Sequence, residues 1–159
     1  MSFYILFFVA LYFTTYHLNK ANLDKKSGEI LAKQGLYSSA IYFEIQYMEK
    51  LIKSEICKKI NLKIKYTHEL INNHSIKDLM FLLIDIVVTE NNMKDQLKDQ
   101  INKFLGNIKY NKLYNNLRYP YYSIKDKEFF FIEYDEEDYK QIVDYSSNLR
   151  TYLKDFYKI

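Results

Sequence analysis

The chain holds 159 residues, 48% of them apolar and 27% charged, which is the balance of one globular domain and not of a disordered chain. Three glycines and one proline are too few for the tight turns of a sandwich or barrel. A single cysteine, Cys57, and three scattered histidines exclude a disulfide framework and a zinc pattern, and a net charge of +3 names no nucleic-acid partner.

The N-terminal segment, residues 1–16, is an apolar extension. Phe3 to Phe13 is an unbroken apolar run, and the first charged side chain is Lys20. It is shorter than the roughly 20 apolar residues a spanning helix needs, and it lacks the basic start of a secretory signal. Three readings stand: an anchor held by Lys20, Lys25 and Lys26 on its cytoplasmic side, a helix extension packed on the bundle or a partner, or a start placed too far upstream. Any membrane contact would run through Phe3–Phe13.

From residue 17 the pattern is helical. Leu18, Ala21, Gly28, Leu31 and Ala32 share one face of a helix predicted over Thr15–Gln34, ended by Gly35, which tolerates the left-handed cap conformation. A second helix is expected from Leu36 to Lys59, with Ala40, Phe43, Tyr47, Met48, Leu51 and Ile52 as its apolar stripe. The short link makes the two an antiparallel hairpin. A basic irregular stretch, Lys58 to Lys65, follows. Thr67 then caps a short helix, His68 to Asn73, and Ser75 caps the next.

Leu79 to Val88 is apolar nearly all round, as in a helix buried mid-bundle or at a dimer seam. Asn91 and Asn92 mark a break, and Met93 to Asn116 is the fourth main helix. Arg118 to Tyr134 reads as irregular, with the only proline, Pro120, and an aromatic cluster. Asp135 opens the last helix, whose acidic first turn complements the helix dipole. The sum is all-α: an up-and-down bundle of four main helices plus a short one over 17–159.

Three signatures occur in order: Gly35-Leu36-Tyr37 with Ala40, Gln46, Glu49-Lys50 and Lys53; Thr67-His68-Glu69-Leu70; and Arg118-Tyr119-Pro120 before a final amphipathic helix. Together they make the chain resemble the HEPN domain (higher eukaryotes and prokaryotes nucleotide-binding) from about Leu18 to the C-terminus. Gly35 and Ala40 suit close helix approach near the hairpin, and Gly28 does so one turn inward. Glu49 and Lys50 are expected to point outward from the stripe or to pair at its edge. Glu44 and Tyr47 stand where the family has small residues, so packing must differ there.

The resemblance implies a homodimer. It also implies a frequent companion, a minimal nucleotidyltransferase, in a toxin–antitoxin or defence-type pair. Many members are ribonucleases that use an Arg, four to six residues, then a His, with His as general acid–base and Arg on the phosphate. None of His17, His68 and His74 has an Arg at that distance before it. The expected role is therefore that of a cytoplasmic, non-catalytic nucleotide- or RNA-binding module with no cofactor and no metal.

The alternative is a divergent metal-independent endoribonuclease using His68, with Lys63 or Arg118 on the phosphate. His68 equally suits a plain helix-start role. Arg118, one of only two arginines in the chain, either grips a phosphate while Tyr119, Tyr121 or Tyr122 stacks on a base, or bonds helix-end carbonyls. Lys53, Lys58, Lys59, Lys63 and Lys65 form either a nucleic-acid track or a solvated face, and the missing arginines favour the solvated face.

Overall fold

A computed structural model describes residues 3–59, 72–105, 117, 121–130 and 132–155. Among these residues five helices and one hairpin are found: α1 (Phe3–Lys33), α2 (Tyr37–Lys59), α3 (Ile76–Val87), α4 (Asn91–Leu105), β1 (Tyr121–Ser123), β2 (Glu128–Phe130) and α5 (Glu136–Asp155). The fold is all-α. The chain divides into two compact units: 1–22 with 47–107, and 23–46 with 108–159. Both α1 and α2 give one part of their length to each unit.

α1 begins at Phe3, well before the expected Thr15, so the apolar run and the amphipathic segment are one uninterrupted helix. Nothing in 3–33 breaks it, since the stretch has no proline and its lone glycine is mid-helix. Among the described residues no helix is long and apolar enough to cross a membrane.

In the unit formed by 23–46 and 108–159, α1 ends as expected at Gly35. The Gly35 N–H bonds the Ala32 carbonyl and the Leu36 N–H bonds the Leu31 carbonyl, each at 3.0 Å. That double bond is a Schellman cap, and it needs the left-handed backbone that Gly35 adopts at φ 75°. The chain then folds back, and Gly28 meets α2. A Cβ at Gly28 would lie 3.1 Å from the Ala40 carbonyl oxygen and 3.5 Å from Phe43 Cβ. Small residues at Gly28 and Ala40 thus set the spacing of the hairpin, as their positions in the sequence suggested.

Residues 121–130 correct the reading of 118–134 as irregular. Tyr121 pairs with Phe130, Tyr122 with Phe129 and Ser123 with Glu128 in an antiparallel ladder. The turn contains no glycine. Instead Ser123 Oγ donates to Asp126 Oδ2 at 2.6 Å and accepts from the Asp126 N–H at 3.2 Å, while Lys127 takes φ 55°. α5 starts where predicted: Asp135 Oδ1 accepts from the N–H groups of Glu137 (2.9 Å) and Asp138 (3.0 Å), and Asp138 Oδ2 accepts from the Asp135 N–H at 3.1 Å. This reciprocal capping ties down the helix start.

In the unit formed by 1–22 and 47–107, Ser75 caps α3 by accepting from the Asp78 N–H at 3.3 Å. α3 is not buried all round. Ile76, Leu79, Met80, Leu83 and Ile84 are buried, while Asp85 is exposed. α4 packs on it, and Lys98 Nζ reaches both Asp85 oxygens at 2.7 and 2.9 Å and lies 5.6 Å from the Phe81 ring centre. The break falls at 88–90. Asn91 and Asn92, expected to mark it, instead open α4. The short helix expected over 68–73 and the continuation of α4 toward Asn116 lie mainly outside the described residues.

The hairpin packing at Gly28 yields a stability prediction. Gly28→Leu should lower the free energy of unfolding by about 1–3 kcal/mol, because the added side chain meets a backbone carbonyl rather than a flexible tip. A urea melt followed by far-ultraviolet circular dichroism reads it directly.

Candidate functional site

The centre of the polar chemistry is α2, which is buried around most of its length. Glu44, Glu49, Lys53 and Glu55 are all buried, together with Tyr47, Met48, Ile52, Ile56 and Cys57. This corrects two expectations. Glu49 does not point outward, and Lys53 belongs to no solvated lysine face or nucleic-acid track. A buried charge needs a partner, and each finds the other: Lys53 Nζ donates to Glu49 Oε1 at 2.8 Å, with both side chains 5% exposed. Lys58 is spent on Glu55 at 2.6 Å. Lys63 and Lys65 lie outside the described residues.

A second donor converges on the same oxygen. His74 Nδ1 sits 3.1 Å from Glu49 Oε1, while the His74 side chain stays 60% exposed. A carboxylate behind an imidazole fixes the ring's orientation. His17, on α1 in the same unit, completes the group electrostatically. Burial holds its imidazole below the usual value. The Lys53 charge pushes the same way, against Glu49. Its Nδ1 is buried with no hydrogen-bond partner among the described residues. Cys57, one turn beyond Lys53, is no nucleophile: burial pushes its thiol up to about 11.

In the other unit, Glu44 is buried on α2. Ser146 Oγ of α5 donates to its Oε1, whereas Oε2 has no partner among the described residues. Burial raises the Glu44 carboxyl above its ordinary value, more than the serine hydrogen bond and Lys25 lower it. Nearby, α1, α2 and α5 frame an open cleft of about 340 Å³. Glu29, Ala32 and Lys33 come from α1, Tyr37 from α2, and Glu136, Tyr139 and Lys140 from α5. The Tyr37 and Tyr139 rings lie 6.4 Å apart, inclined by 36°. Lys140 Nζ holds Glu136 Oε1 at 2.6 Å, and the Tyr37 hydroxyl makes a long 3.5 Å contact with Glu136 Oε2.

The residues singled out in the sequence fall into three sets. Glu49 and Lys53 are joined, with Lys50 half-buried beside them on α2. Gly35, Tyr37 and Ala40 build the hairpin and the cleft, and Gln46 is half-buried on α2. Lys63, Thr67, His68, Arg118, Tyr119 and Pro120 lie outside the described residues. Of the proposed stacking residues, Tyr121 is paired through its backbone, and Tyr122 is 45% exposed with its ring 4.9 Å from that of Phe129. In the sequence His17 and His74 are weighed only for an Arg–His pair, and Lys33 and Tyr139 are not singled out. His74 is 25 residues from its carboxylate, and Tyr139 is on a different helix from Tyr37, so no local spacing links either pair. Among the described residues no group of histidine, cysteine and carboxylate side chains could hold a metal ion.

Comparison with known proteins returns one family model, that of the HEPN domain, matching residues 14–156. No curated protein and no solved structure matches significantly.

Two predictions follow from α2. Lys53→Met should cost about 3–5 kcal/mol by stranding Glu49, and the double variant with Glu49→Gln should recover much of it; a double-mutant cycle of urea melts checks this. Glu44 obeys the opposite logic. Its raised folded-state pKa means that the native protein binds the proton more tightly than the unfolded chain, so this group's contribution to stability declines as pH rises from its unfolded value through its folded one. Glu44→Gln should therefore be more stable than the parent at neutral pH, with the difference shrinking in melts at acidic pH.

Proposed function

Because the chain belongs to the HEPN domain family, we propose that it is a helical nucleotide- or RNA-binding module working without the family's ribonuclease pair. In this reading it is a cytoplasmic homodimer and the partner of a minimal nucleotidyltransferase in a toxin–antitoxin or defence-type pair. The observation that carries it is the order of residues. The only arginines, Arg118 and Arg150, both follow all three histidines, so no Arg precedes a His at any spacing. A planar bidentate cation ahead of an acid–base imidazole is what that chemistry requires, and a lysine such as Lys63 before His68 supplies only a point charge. The polar interior supports the same reading. Lys53 and Glu49 neutralise one another, so Lys53 is not an unpaired cation waiting for a phosphate.

A second reading, a metal-independent endoribonuclease, is favoured by one observation. His74 rests on Glu49 with its ring largely exposed, the arrangement of an oriented general acid or base. In that reading His74 acts beside or in place of His68, with Lys63 or Arg118 on the phosphate.

Incubation of total RNA with the purified protein and a chelator separates the two, alongside His68→Ala, His74→Ala and Arg118→Ala variants. The expected result is intact RNA together with a folded dimer that retains nucleotide or RNA in a filter assay. Cleavage that disappears in either histidine variant overturns the binding-module reading in favour of the enzyme.

A further inference from the structure

We propose that the cleft between the C-terminal turns of α1, the start of α2 and the first turns of α5 is a binding site for a nucleoside monophosphate, free or at the 5′ end of an RNA. This rests on the nucleotide-binding reading above and gives it a location.

Four features carry the assignment. First, at about 340 Å³ the cleft is at the small end of ligand sites, which suits one aromatic ligand rather than a stretch of chain. Second, two half-buried tyrosines from different helices, Tyr37 and Tyr139, line it, with ring centres 6.4 Å apart. Tyrosine faces held by helix packing form a stacking platform that tolerates any base. Third, the cationic groups are unequal. Lys140 is committed to Glu136 at 2.6 Å, whereas Lys33 forms no ion pair among the described residues. Lys33 thus remains for a phosphate monoester.

Fourth, Glu29 lines the cleft without a lysine partner among the described residues. A carboxylate accepts hydrogen bonds from ribose hydroxyls or an exocyclic amine. A site with one free cation, one free carboxylate and two aromatic faces matches a nucleoside with a single phosphate better than a simple cation, an acidic peptide or a triphosphate.

Equilibrium dialysis of the full chain against AMP, adenosine, and an RNA tetramer with and without a 5′ phosphate tests this. Variants Tyr139→Leu and Lys33→Glu are run beside it, with circular dichroism as the folding check. The parent should bind AMP and the 5′-phosphorylated tetramer in preference to adenosine and the unphosphorylated tetramer. Each variant should bind AMP about tenfold more weakly, the scale of a lost stacking surface or phosphate contact. If Tyr139→Leu does not fold, Lys33→Glu decides, since Lys33 is exposed and has no packing role to lose. Binding by the parent that survives in the folded variants overturns the cleft assignment and leaves the binding-module reading intact. A parent that binds none of the four ligands overturns both.

Discussion

A helix that is buried around most of its circumference while carrying three carboxylates and a lysine into its interior is the constraint on which this structure turns. α2 has little apolar surplus, so its packing depends on each buried charge being answered. Glu49 and Lys53 answer one another, His74 adds a second donor to Glu49, and Lys58 serves Glu55. Among the described residues Glu44 is answered by a neutral hydroxyl alone, which leaves its second oxygen without a partner there, and burial biases its carboxyl toward the protonated form. Buried ion pairs of this kind add little net stability over apolar residues of similar volume. A slipped or rotated α2 would strand a buried charge.

The same constraint distributes the chemistry. In the unit that contains the second half of α2, polar side chains are drawn inward: Lys53 is neutralised and the thiol is kept protonated, while His74 stays largely exposed. In the unit that contains its first half, the helix start and its two flanking helices leave an open cleft lined by Tyr37, Tyr139 and Lys33, a lysine with no ion pair among the described residues. A binding module fits that division, with charges inside serving the fold and the available cation at a surface cleft. The absence of any arginine ahead of a histidine fits it as well.

The helices themselves were legible because their signals are local. Gly35 as a left-handed cap, Ser75 and Asp135 as N-caps, and Gly28 with Ala40 as small residues at a crossing each act within a few residues of themselves, and each appears where expected. The misreadings have equally physical causes. The hairpin of 121–130 closes through a serine–aspartate bond and a lysine at positive φ, so the glycine signal that marks most hairpins is missing. Asn91 and Asn92 resemble a break, yet the chain had already left the helix at Val88.

The candidate sites show the limit more sharply. Glu49 and Lys53 lie four residues apart, which fixes that they can pair but not whether water or protein surrounds them. Their burial depends on what packs against α2, and that set is drawn from distant parts of the chain. Likewise Tyr37 and Tyr139 are a hundred residues apart in sequence and come within 6.4 Å only through helix packing. By itself, then, the sequence determined the helical class, the caps, the family and the lack of an Arg–His pair, since all of these are written in residue identity and short spacing. Only the tertiary structure decided which charges are interior, which imidazole is held by a carboxylate, and where a cleft remains open, because burial and long-range proximity are properties of packing and not of any local stretch of chain.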